Sequence, residues 1–159
     1  MIDVSASRTL AAPPDAIWPL LDDPARMGEW FAFAERFEVL EGEGVGRRQR
    51  MHGRWGKKRS EIDQVLVAHD PPRRLAWRHE AERLDGKPAP RFAASTVFSA
   101  TLEPDGDRTR VTLRSEQEPA SRLKGVVIGL FGRREVAQRL EESLDALTAQ
   151  VEAAGRSPA

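Results

Sequence analysis

The sequence predicts an α+β fold: a seven-stranded antiparallel sheet wrapped around one long C-terminal helix, with two short helices after the first strand. Three observations predict it. Between residues 35 and 118 apolar side chains recur at a period of two, the mark of half-buried strands. The breaks between these runs are short and rich in turn residues, so neighbours join as antiparallel hairpins; parallel neighbours need long crossovers. From 121 to 153 the period becomes helical, with Ala137, Leu140, Leu144, Leu147 and Val151 at three- and four-residue intervals.

Each element has a local reason. Residues 2–11 alternate loosely and stop at Pro13-Pro14, which reads as a strand. Residues 15–21 carry Ile17, Trp18, Leu20 and Leu21 near helical spacing, and Pro19 keeps that helix short. A second short helix, 24–30, starts with Asp23 as N-cap and Pro24 at its first position. Six strands follow at 36–41, 46–55, 59–69, 75–83, 92–103 and 108–118. Gly42-Glu43-Gly44, Gly56-Lys57-Lys58, Asp70-Pro71-Pro72, residues 85–90 and Pro104-Asp105-Gly106-Asp107 separate them. The final helix opens on Gly125, Gly129 and Gly132, each of which weakens a helix by about 1 kcal/mol relative to alanine. That predicts a yielding segment, a gate with Leu130 and Phe131 as its inner surface or else a site of close helix packing.

Composition narrows the function. The chain has 159 residues, Lys+Arg 25 against Asp+Glu 25, and no cysteine. This length suits one domain, read as 1–153 with 154–159 a frayed tail. Without cysteine there is no disulfide scaffold, thiolate metal site or thiol nucleophile. No apolar run approaches the ~18 residues of a membrane span, and Met1-Ile2-Asp3-Val4 lacks a secretory pattern, so a cytoplasmic protein is expected. Balanced charge argues against bulk attraction to nucleic acid.

A helix of about 45 Å cannot plug the whole concave face of a curved seven-stranded sheet, so a cavity is expected between sheet and helix. Strand parity says what lines it. Inner sets are Gln49, Met51, Gly53 and Trp55; Leu75, Trp77, His79 and Ala81; Phe92, Ala94, Thr96, Phe98, Ala100 and Leu102; and Val111, Leu113, Ser115 and Gln117. Arg78, Glu80 and Glu82 are expected in water. The fourth strand reads both ways, through Ile62, Gln64 and Leu66 or through Val65 and Val67, and a bulge would decide it.

The string Ala12-Pro13-Pro14-Asp15-Ala16-Ile17-Trp18, then Leu20-Leu21-Asp22-Asp23-Pro24 and Glu29-Trp30, resembles the opening of the polyketide cyclase/START-like superfamily. Residues 65–77, with Asp70-Pro71-Pro72-Arg73-Arg74 at their centre, look like its central hairpin. Residues 102–112, around Pro104-Asp105-Gly106-Asp107, look like its penultimate turn. The resemblance implies the helix-grip fold over nearly the whole chain. Members bind hydrophobic small molecules, carry lipids or cyclise polyketides, so architecture alone does not choose among them.

The expected pocket is apolar with a few polar groups, the usual make-up of a small-molecule site. Met51, Trp55, Gln64, Trp77, Thr96, Phe98, Gln117, Val127, Leu130 and Phe131 are its candidate ligand contacts. The leading reading is a module that binds a hydrophobic or amphipathic, lipid- or polyketide-like molecule, with His79 and Gln117 orienting its polar end. An alternative is a cyclase/aromatase-type enzyme without metal or nucleotide cofactor, in which His79 serves as acid/base; that needs a second group within reach. A third is an interaction protein using residues 47–59, which hold seven Lys or Arg and no acid. Acidic Glu35, Glu38, Glu41 and Glu43 adjoin that stripe, so a neutralised solvated face is favoured and no nucleic acid is expected. Three scattered histidines give no metal spacing.

Overall fold

Asp23 accepts a hydrogen bond on its carboxylate from Ala25 N at 3.0 Å, and Pro24 occupies the first helical position. The start of the second helix is thus capped as its sequence predicts. The computed structural model describes residues 1–90, 93–127, 129 and 132–156, without the side chains of Val127 and Arg156. Over that range the order is β1 (Ile2–Leu10), α1 (Pro14–Asp22), α2 (Pro24–Met27), β2 (Arg36–Glu41), β3 (Arg48–Trp55), β4 (Lys58–Asp70), β5 (Arg74–Leu84), β6 (Lys87–Pro88), β7 (Ala93–Asp105), β8 (Arg108–Pro119), α3 (Arg122–Val127) and α4 (Arg133–Arg156).

The seven long strands form one antiparallel sheet in the order β1-β8-β7-β5-β4-β3-β2, and the two-residue β6 pairs β5. Consecutive strands are neighbours except at β1, which closes the far edge against β8, as Ile2↔Gln117 through Leu10↔Thr109. Gly56 and Gly106 each take positive φ as the first central residue of a two-residue hairpin loop, a position glycine fills without steric cost.

Leu140, Leu144 and Leu147 of α4 are buried against the sheet, which confirms the stripe read from the sequence. Trp18 and Trp30 pack the short helical segments into the same core, and Trp30 Nε1 donates to Leu20 O at 2.7 Å.

The hollow beneath α4 differs from expectation. Phe31 and Phe33, from the loop after α2, fill much of it. The Phe31 ring lies 5.5 Å from both Trp77 and Phe98 and 4.9 Å from Phe33. The loop is held on both sides. Ala32 N donates to Ser143 Oγ of α4 at 2.9 Å, and Glu35 N donates to His52 O of β3 at 2.8 Å. Gly28 and Gly53 permit the approach: a Cβ on Gly28 would stand 2.4 Å from Glu35 O, and one on Gly53 3.2 Å from Phe33 O. Phe31 is absent from the expected inner residues because residues 28–35 show no period from which to assign a face.

Candidate functional site

The remaining space opens at one end of the sheet, where two hairpin tips meet. Asp85 and Gly86, with φ of 50° and 81°, form a tight loop between β5 and β6, the pattern that Asp-Gly favours. Asp85 Oδ1 accepts from Arg59 N at 2.9 Å, which ties this tip to the β3–β4 hairpin beside Trp55. β6 then carries Ala89 and Pro90 across the opening. The result is a cleft of about 270 Å³. Its apolar lining comes from Trp55, Ile62, Leu84, Ala89, Pro90 and Ala93, its polar lining from Ser60, Glu82, Arg83, Thr96 and Gln117.

A β-bulge decides the chemistry of its inner end. Gln64 pairs with His79 but Asp63 pairs with Ala81, so β5 carries one extra residue at Glu80. Past the bulge parity reverses. Glu82 pairs with Ile62 and faces the cleft, while Ala81 turns to the outer face beside Asp63; both are the opposite of the simple alternation. Glu82 Oε1 thereby comes within 3.8 Å of His79 Nδ1, beyond hydrogen-bond reach but the nearest carboxylate to it among the described residues. The His79 side chain is 10% exposed, and both its ring nitrogens are buried without a hydrogen-bond partner among the described residues. Trp77 Nε1, two residues along the same strand, is in the same state. Their rings flank Phe98, at 5.7 Å for His79 and 6.2 Å for Trp77. A buried polar atom without a partner costs about 1–3 kcal/mol, so three on one inner strand are a marked departure from ordinary packing.

The candidate contacts divide into three groups. Trp55, Thr96 and Gln117 line the cleft; Trp55 is 59% exposed at its mouth. Met51, Gln64, Trp77 and Phe98 lie in the packed interior instead, because Phe31 and Phe33 occupy the space they were expected to face. Gln64 is held there by Gln49, whose Nε2 donates to Gln64 Oε1 at 2.9 Å. Leu130, Phe131 and the Val127 side chain lie outside the described residues, and so does the gate that the glycine run suggested. At the near end of that run, a Cβ on Gly125 would meet Pro119 at 3.1 Å, which is the close-packing reading of that glycine.

Two further expectations are corrected or resolved. In β4 the inner set is Ile62, Gln64 and Leu66; Gln64 and Leu66 are buried, and a second bulge turns Val67 outward. In β7 the pairing skips between Ala93 and Ser95, so Ala93 faces the cleft and Ala94, expected inside, is exposed.

Of the basic stripe, Arg47 is buried and reaches Gln49 and Asp22, while the strand arginines lie on the outer face, where acids meet them. Arg50 Nε donates to Asp63 Oδ1 at 2.7 Å and Arg83 Nη2 to the same oxygen at 2.9 Å. The Arg50 hydrogen bond, with help from Arg83, holds the Asp63 carboxyl down at about 2. Arg48 reaches Glu80 at 2.7 Å, Arg54 reaches Glu35 at 3.2 Å, and His52 Nε2 meets Glu38 at 2.7 Å. A second depression, of about 400 Å³ beside Phe33 and Gly53, is rimmed by the Arg54–Glu35 and Arg139–Glu135 pairs. Among the described residues no three His, Asp or Glu stand together as a metal would require, and no helix is long and apolar enough to cross a membrane.

A large antiparallel sheet with a long C-terminal helix is also the architecture of the solved proteins that this chain matches. A family model described as polyketide cyclase / dehydrase and lipid transport matches residues 1–152. The chain belongs to that family. Among solved structures, a Thermus thermophilus protein aligns at a TM-score of 0.75 with 21% identity, over 96% of this chain and 99% of that one. The Zhui aromatase/cyclase of Streptomyces sp. R1128 aligns at 0.69 with 24% identity, over 98% and 96%. A START superfamily protein of Mycobacterium smegmatis aligns at 0.73 with 15% identity, over 94% and 97%. Identities this low establish the helix-grip fold alone. No curated protein matches the sequence.

Proposed function

We propose that this family member holds a small hydrophobic or amphipathic molecule in the end cleft, gripped by Trp55, Ile62, Leu84 and Pro90 and oriented at its polar end by Gln117, Thr96 and the His79–Glu82 pair. The observation that carries the reading is the cleft itself: apolar walls converge on a few polar groups, and two buried rings on the neighbouring stretch of β5 lack partners among the described residues. At about 270 Å³ it suits a compact one- or two-ring guest better than a long acyl chain. The neutral fluorophore N-phenyl-1-naphthylamine provides the test. Saturable one-to-one enhancement is expected with the native chain, weakened at least about tenfold by Ala93→Phe, which fills the cleft. Absence of binding to the native chain would overturn the proposal.

One contact favours a second reading, an enzyme of the cyclase or aromatase kind. The Glu82 carboxylate stands 3.8 Å from His79 Nδ1, and a small side-chain rotation would bring it to hydrogen-bond distance, where it would orient a general base. With 2-tetralone as an enolisable probe, this reading expects accelerated exchange of the α-hydrogens for solvent deuterium. His79→Gln would abolish the acceleration while fluorophore binding persists. Equal exchange by both forms would remove it.

A further inference from the structure

We propose that a patch around α3 docks on an anionic lipid surface, with Leu123 and Val126 entering the headgroup layer and Arg122 and Arg134 meeting its charge. None of these residues lines the end cleft, so the proposal does not rest on what that cleft holds. Leu123 is 76% exposed, more than any other large apolar side chain among the described residues, and Val126 is 56% exposed. Three residues apart, they share one face of α3. Gly125 lets the helix lie so close to the end of β8 that a Cβ there would stand 3.1 Å from Pro119. That contact uses another side of the helix and leaves the apolar pair in solvent.

Charge says what the patch meets. From 119 to 134 the sequence holds four basic residues, Arg122, Lys124, Arg133 and Arg134, and no acid. Arg122 and Arg134 are exposed, and neither forms an ion pair or hydrogen bond among the described residues. The strand arginines of the 47–59 stripe, by contrast, are met by acids. Exposed Val39, Leu40 and Val45 stand among Glu38, Glu41 and Glu43 in the chain, which an anionic surface would repel. Apolar side chains flanked by unpaired cations fit a bilayer carrying anionic lipid, which attracts the cations and admits the apolar groups into its headgroup layer. A second copy fits poorly, because a two-fold contact sets the patch against itself and brings its arginines together. A folded partner fits poorly too: two apolar side chains fall far short of the roughly 800 Å² per partner that a specific interface buries.

Sedimentation of the full chain with sucrose-loaded vesicles tests this. Partition onto phosphatidylcholine vesicles holding about one-third phosphatidylglycerol should exceed that onto phosphatidylcholine alone by about tenfold. Raising the salt to about 0.5 M should remove most of the difference. Arg122→Gln with Arg134→Gln should lower partition onto the anionic vesicles about tenfold, and Leu123→Gln with Val126→Gln by a similar factor of about ten. Arg48→Gln, on the paired outer face, should leave it within about twofold. The substituted side chains are exposed, so the urea midpoints should not move. Equal partition onto both vesicles, or none onto either, overturns the proposal and leaves the cleft reading intact. Unchanged partition of the Leu123 and Val126 variant also overturns it, since charge alone would then adsorb the chain. So does a native dimer that this variant splits into monomers, which would put a second copy on the patch.

Discussion

The outer face of the β3–β5 region and the inner face of β5 treat their polar groups differently. On the outer face Asp63 receives both Arg50 and Arg83, Arg48 meets Glu80, and His52 meets Glu38. On the inner face of β5, His79 and Trp77 are buried with three ring nitrogens unmet among the described residues. Burial makes the difference expensive on the side where it occurs. An unpaired charge in water is solvated, whereas an unpaired atom in the core forfeits its hydrogen bonds outright. The outer face is thus paired within the chain, and the inner face carries the cost of its unpaired atoms.

The comparison can be broken most forcefully at Phe31. Phe31→Ala removes the ring that lies against Trp77 and Phe98 and is expected to cost about 3–4 kcal/mol in urea unfolding. If the variant still folds, the cleft should deepen toward Trp77 and admit fluorophores bulkier than the native chain accepts. On the outer face, Asp63→Asn leaves two guanidinium groups without their carboxylate. The expected loss is about 2 kcal/mol, between that of a surface pair and a buried one.

The same residue fixes an acid limit. Its folded carboxyl titrates at about 2 against an ordinary 3.8, so the folded state prefers it ionised. That contribution is fully present above about pH 4 and fades as pH falls toward 2. Asp63→Asn should flatten the acid limb of a stability-against-pH curve; an unchanged limb would mean that Asp63 does not set it.

His79→Phe should act in the opposite sense. It removes two unmet nitrogens for a ring of similar shape and is expected to raise stability by about 1 kcal/mol. A loss above that size would show that His79 is satisfied in the folded chain and would erase the contrast between the faces. Trp55→Ala gives the smallest thermodynamic effect, within about 0.5 kcal/mol, because the ring is largely exposed. It should nevertheless weaken fluorophore binding several-fold.

Much of this architecture is legible in the sequence. Periods of two and 3.6 are set by which atoms face water, so Leu75, Trp77, Leu113, Leu140 and Leu144 declare their faces, and Asp23-Pro24 declares a helix start. Glu82 escapes that reading because a bulge is one extra residue whose position depends on the partner strand, and alternation on one strand carries no trace of it. The Asp85-Gly86 loop is a different case. Its hairpin signal is present in the sequence, and following it would have found β6 and, with it, Ala89 and Pro90.

By itself the sequence determined the element order, the hairpin-connected antiparallel strands and the capping helix, because each follows from neighbours a few residues apart. Only the tertiary structure decided how much hollow remained and what stood in it. Phe31 reaches the core from a loop of no period, held by α4 and β3 more than a hundred and about twenty residues away respectively. Glu82 reaches His79 only through the register of β5 against β4. Contacts of that range are settled by packing and pairing among the whole set of elements, which no local pattern encodes.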